Sequence, residues 1–132
     1  MDLRELEKFY FRIGGTKPTP KFGLYKDMPI SAPAIFNILE KREYGHYVAT
    51  FMHDNVLHYF DPMGNGPSFL FKYRAVKELN GANRFPKGIK YNHHDYQREW
   101  TENCGRWCCL LIVESHLSDE EFKKKYGNFH FN

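Results

Sequence analysis

Cysteine is scarce in this chain and confined to one place. The only three, Cys104, Cys108 and Cys109, fall within the stretch QREWTENCGRWCC at Gln97–Cys109. Two are adjacent and the number is odd, so they make a poor disulfide framework, and a reducing compartment is expected rather than secretion. Long apolar runs are missing too. No stretch reaches the ~18 uninterrupted apolar residues of a membrane span, so no membrane partner is expected. The first residues, MDLRELEKFYFRIGG, are charged and amphipathic and do not read as a signal peptide. There is no internal repeat and no low-complexity tract. Charge excess is small: 19 Lys and Arg against 16 Asp and Glu give a net +3, short of a dedicated nucleic-acid module. The run Lys123-Lys124-Lys125 reads as the solvated face of a terminal helix.

What is present is core-forming material. Of 132 residues, 42% are apolar and 17% aromatic. That suffices for one domain, 1–132, burying roughly two-thirds of the surface its unfolded chain exposes. Leu3, Leu6 and Tyr10 recur at helical spacing over 2–12, and Gly14-Gly15 ends that helix. The stretch 16–23 carries two prolines and reads as a loop. AIFNIL (34–39) reads as a strand. HYVATFMH (46–53) and VLHYFD (56–61) read as a hairpin, because Asp54-Asn55 between them tolerate positive φ. Residues 68–81 read as a helix capped by Ser68 and closed by Gly81, and 89–97 as another strand. WCCLLIV (107–113) fits a buried strand or a helix apolar on every side. Its continuation through Glu114, Ser115 and His116 favours a central helix, with Asn103 or Thr101 as its cap. Ser118 with Glu121 makes a capping box for a last helix ending at Gly127. These elements sum to an α+β domain: a small, mostly antiparallel sheet packed on a central helix that carries Cys104 at its N-terminus.

A thiol at a helix N-terminus meets the positive end of the helix dipole and unsatisfied backbone N–H groups, and both favour its anion. Gly105, next along, leaves room for a substrate backbone. A nucleophilic cysteine also needs a base, a group to orient that base, and donors for an oxyanion. The hairpin offers the first two. Residues whose numbers sum to about 109 face each other across the 54–55 turn, so His46 and Asp61 lie diagonally across its open end. Gln97, at the end of the next strand, can aim its amide N–H at an oxyanion beside the Cys104 backbone N–H. Taken singly, each residue has a plainer role: histidine as surface or packing residue, Asp before Pro as turn former, cysteine as small apolar filler.

Taken in order, the stretches FGLYKDMP with AIFNI, then GHYVATF, HYFDPMG and QREWTENCGRWCC resemble the adenovirus-type maturation proteases, the adenain family. Relatives occur in virophages, Polinton-like elements and other DNA viruses, and the SUMO-specific proteases are more distantly similar. The resemblance covers most of residues 22–116, and glutamine seven before C-G-x-aromatic-C-C is its specific part. It implies an adenain-like version of the papain-like fold and a cysteine endopeptidase, with Cys104 as nucleophile, His46 as base, Asp61 as its orienter and Gln97 in the oxyanion hole. It implies cleavage at small-residue, Gly-Gly type sites in viral capsid or core precursors. The location implied is the virion and the infected-cell interior, cytoplasm, nucleus or virus factory. Three departures stand out. The family's acid is usually Glu, its residue after the histidine usually Trp where Tyr47 stands here as a flat wall, and its chain is longer. The family's peptide cofactor is held by a disulfide to a cysteine between acid and nucleophile. None lies between Asp61 and Cys104, so no cofactor is required by the sequence, and activation by DNA or an unlinked peptide stays open. Two other readings compete: a deconjugating protease for a ubiquitin-like modifier, and a non-catalytic relative that binds protein or DNA.

Other residues receive plainer readings. Cys108 and Cys109 are core packing. Zinc at His93, His94 and the cysteines is disfavoured, since neighbours on a strand point to opposite faces and no C-x2-C pair occurs. His53, His58, His116 and His130 are surface or packing residues, and Trp100 is a loop anchor or entrance residue. Arg84, Lys87, Lys90, Arg98 and Arg106 form a solvated rim on which a polyanion such as DNA would bind weakly. Ile13-Gly14-Gly15-Thr16 offers a Gly-Gly bond for self-trimming, against the plainer reading of a helix-ending loop.

Overall fold

The structure, a computed structural model, describes residues 2–27, 30, 32–38, 46–81, 88–97, 103–129 and 131. Arg84, Lys87, Arg98, Trp100, Thr101 and His130 lie outside these described residues. Helix α1 (Leu3–Arg12) starts where the Asp2 side chain accepts the Glu5 N–H at 2.9 Å. Strands β1 (Lys21–Leu24), β2 (Ala34–Asn37), β3 (Tyr47–His53) and β4 (Val56–Phe60) follow. Then come α2 (Phe69–Gly81), β5 (Ile89–Tyr91), α3 (Cys104–Val113) and α4 (Asp119–Tyr126). The five strands form one sheet in the order β1-β2-β3-β4-β5. The antiparallel pairs are the central ones, β2 with β3 and β3 with β4; both edge strands join in parallel. The α+β class is as expected from sequence.

The hairpin forms as its turn residues dictate. Asp54 and Asn55 take φ of 50° and 61°, the pair of left-handed conformations that a two-residue turn between twisted strands requires. Register follows: Ala49 faces Phe60 and His53 faces Val56. Strand alternation then sorts the side chains onto two layers. Ala34, Phe36, Val48, Leu57 and Tyr59 pack on one face with Phe71, Ala75 and Leu79 of α2. Ile35, Tyr47, Ala49 and Phe60 pack on the other with α1, α3 and Phe122 of α4.

Helix α3 is the pivot of that second layer. Seven of its ten residues, Cys104, Gly105, Trp107, Cys108, Cys109, Leu110 and Leu111, are buried. Trp107 sits among the rings of Tyr96 and Phe131, each 5.1 Å from it between centroids, and Phe129 at 6.0 Å. Burial of that indole fixes the helix three residues beyond Cys104, and truncation to alanine would cost about 3–5 kcal/mol.

Several sequence expectations need adjustment. The loop expected at 16–23 runs into β1, which Pro18, Pro20 and Gly23 obscured. The strand begins just past the prolines and lies at the sheet edge, where such residues are tolerated at its start. The strand expected over 89–97 ends at Tyr91. The central helix ends at Val113, and Glu114 to His116 form turns. Asn103 stands at its N-cap position, but its side chain does not cap; it accepts from the Arg106 guanidinium at 3.0 Å instead. The Ser118–Glu121 capping box forms as expected.

Candidate functional site

Two turns and one helix end meet at the open end of the β3–β4 hairpin. His46 precedes β3 and Asp61 follows β4, and His46 Nε2 lies 2.6 Å from Asp61 Oδ1. The carboxylate is nearly sealed, with 3% of its side chain exposed, and the imidazole shows 16%. Asp61 does two jobs. Its Oδ1 also accepts the Met63 N–H at 2.8 Å, and its carbonyl accepts the Gly64 N–H at 2.8 Å, so it both builds the turn and faces the histidine. The two roles weighed as alternatives from sequence are one arrangement.

Cys104 is the first residue of α3 and is 5% exposed. Its Sγ is 3.5 Å from the Tyr47 backbone N–H, one residue after His46, and it lies near enough to the His46 side chain to raise the pKa of that ring. Burial pulls the His46 pKa down. The Asp61 carboxylate, through its hydrogen bond and its charge, and the neighbouring Cys104 side chain outweigh it, and the imidazole is pushed up to about 9. The raised value favours the charged form of the ring beside the Asp61 carboxylate.

Asn92, which sequence reading missed, secures the acid. Its Oδ1 accepts the Asp61 N–H at 3.0 Å, and its Nδ2 donates to the Asp61 carbonyl at 2.6 Å and to the His94 carbonyl at 3.1 Å. The side chain thus substitutes for a neighbouring strand where β5 has already ended. Asparagine is poor strand material, and its presence in IKYNHHDYQ was the available signal that the strand stops there. The Pro62 carbonyl receives the N–H groups of Tyr96, at 2.7 Å, and Gln97, at 3.2 Å. Gly64, at φ +81°, allows the two loops to touch: a Cβ there would lie 2.8 Å from the His93 carbonyl oxygen.

Of the four site residues expected from sequence, His46 touches Asp61 directly, and Cys104 lies against the same end of the hairpin, with its Sγ 3.5 Å from the Tyr47 N–H. Gln97 is brought to the same turn by its backbone, in a bend beyond β5 rather than at a strand end. Two expected roles change. Gly105 is buried, and a Cβ on it would lie 2.4 Å from Leu6 Cδ2, so its bareness makes room for α1 and not for a substrate. Tyr47 is 4% exposed and packs in the core, so its ring is not a wall of an open cleft. Cys108 and Cys109 are fully buried. Their thiols donate to the carbonyls of Tyr47 at 3.4 Å and Leu6 at 3.7 Å. Burial raises both, Cys109 to about 12 and Cys108 well above its ordinary value. His93 and His94 lie past the strand end, and among the described residues no three His, Cys, Asp or Glu side chains gather to hold a metal. Of the basic rim, Lys90 pairs with Asp119 at 3.5 Å, and Arg106 leans over the Phe9 ring.

Comparison with known proteins returns little. No family model matches the chain. It is 30% identical over 98 residues to an uncharacterized protein, V9, of Sputnik virophage, an alignment covering 64% of this chain and 56% of V9. It is similar to the crystal structure of the ASFV pS273R protease at a TM-score of 0.40 and 19% identity, over 76% of this chain and 44% of that one. The chain spans only about half the length of these relatives.

Proposed function

We propose that the chain is a cysteine endopeptidase of the adenain type. The observation that carries this is the His46–Asp61 contact at 2.6 Å with Cys104, at the start of a buried helix, 3.5 Å from the backbone N–H of the next residue, Tyr47. In this reading His46 takes the proton of the Cys104 thiol, and the Sγ thiolate attacks a peptide carbonyl carbon and forms a C–S bond. The proton carried by His46 passes to the departing amine as the C–N bond breaks. Water then attacks the thioester and gives one proton to His46; the C–S bond breaks, the acid is released, and the Cys104 thiolate and protonated His46 are restored. Asp61 holds the ring in one orientation and favours its charged form. The Cys104 backbone N–H and the Gln97 side chain would receive the oxyanion. The substrates proposed are capsid or core precursor proteins of a DNA virus, cut at Gly-Gly type sites in the virion or infected cell. DNA or an unlinked peptide is proposed as the activator.

Cleavage of a panel of Gly-Gly and Gly-x-Gly peptides, with and without duplex DNA, tests this. Wild type is expected to cut and Cys104→Ala and His46→Ala are not. Equal turnover by wild type and Cys104→Ala would remove the proposal.

A further inference from the structure

We infer that the outer face of α2 is a docking surface for an acidic, amphipathic polypeptide helix. Helix α2 is apolar on two sides. Phe71, Ala75 and Leu79 are buried against the sheet. Phe69, Leu70, Tyr73 and Val76 point the other way and are 80%, 71%, 63% and 40% exposed. At ~100° per residue, Phe69, Tyr73 and Val76 form one continuous stripe with Leu70 along its edge. A solvent-facing helix normally carries polar residues there. The stripe exposes on the order of 400 Å² of contiguous apolar surface, the size of the largest patch on an ordinary monomer, which is often functional.

Charge selects the occupant. The stripe is bordered by Lys72 on one side and Lys77 on the other, both exposed. The helix's carboxylate, Glu78, lies on the far side and is taken by Arg74 at 2.8 Å. A second copy of this chain would set these lysines against their own counterparts with no carboxylate on the stripe to meet them, which opposes self-pairing. The exposed area is also well below the about 800 Å² per partner of a stable interface, but suits one helix laid on another. A partner helix with apolar residues at i, i+3, i+4 and i+7 would cover the aromatic rings, and carboxylates flanking them would meet Lys72 and Lys77. The surface lies on the opposite face of the sheet from α3, so the inference stands independently of whether Cys104 is a nucleophile.

Selection of a displayed random peptide library, ~15 residues long to allow four helical turns, against the full chain tests this. Selected peptides are then measured by fluorescence anisotropy on wild type, Phe69→Ser/Tyr73→Ser and Lys72→Glu/Lys77→Glu, with circular dichroism to confirm that each variant is folded. The expected result is peptides with helical apolar spacing and net negative charge that lose at least tenfold affinity on both variants. Peptides that bind the variants as well as wild type, net basic peptides, or no peptides at all would overturn it. So would a wild-type dimer that Phe69→Ser/Tyr73→Ser converts to monomer. Binding to phosphatidylglycerol vesicles that the same pair abolishes, without peptide binding, would overturn it too.

Discussion

His46 and Asp61 are fifteen positions apart in sequence and 2.6 Å apart in space, joined by the tightest kind of hairpin and no other connection. The contact depends on register. A slip of one residue would turn every side chain of the slipped strand to the opposite face and separate the pair. What the hairpin positions, the Asp61–Gly64 turn and Asn92 then hold.

Replacing Asp61 with Asn tests the electrostatic part. It removes the charge that keeps the imidazole protonated to about pH 9, so the alkaline limb of kcat/KM should move to lower pH. Turnover should fall by roughly 10²–10⁴-fold. A pH–rate profile in which the limb stays in place would show that Asp61 does not govern His46.

The same pair links stability to pH. The folded-state value, about 9, lies above the ordinary histidine value of 6.5. The contribution is therefore fully present below about 6.5 and lost as pH rises through about 9. Thermal melts of wild type and His46→Gln should differ most at pH 6 and converge toward pH 9.5. A margin that grows with pH would contradict the ion pair.

Asn92→Ala leaves the Asp61 backbone N–H without its acceptor and is expected to cost about 1–3 kcal/mol, read from denaturant unfolding. Because Asn92 acts through Asp61, kcat should drop while KM stays near wild type. Asn92→Asp should fare no better, since a carboxylate oxygen would face the Asp61 carbonyl.

Gly105→Ala should destabilise by about 1–3 kcal/mol, because the added carbon collides with Leu6, itself 0% exposed. Combining it with Leu6→Ala should cost less than the two changes added together, a coupling measurable by a double-mutant cycle. Strict additivity would show that the two residues do not meet.

How much of this could be read from sequence depended on how local the signal was. The hairpin, its register, the Ser118 cap and the start of α3 at Cys104 rest on turn chemistry and periodicity within a few residues, and those expectations hold. The His46–Asp61 contact was legible because a two-residue turn leaves no freedom in the pairing. The β1 strand was not, since its pairing partner β2 lies thirteen residues on and its own residues are punctuated by Pro and Gly. Asn92 escaped because its role is to bond a backbone 31 positions away. The roles of Gly105 and Tyr47 were misjudged for the same reason: only the packing of α1 and β3 on α3 reveals what each one touches.

The most direct test of the central claim is the rate at which iodoacetamide modifies each cysteine, resolved by peptide mass spectrometry at pH 7 in wild type and His46→Ala. The account predicts that Cys104 reacts much faster than buried Cys108 and Cys109 and slows when His46 is removed. Equal rates at the three cysteines, or a Cys104 rate indifferent to His46, would contradict it.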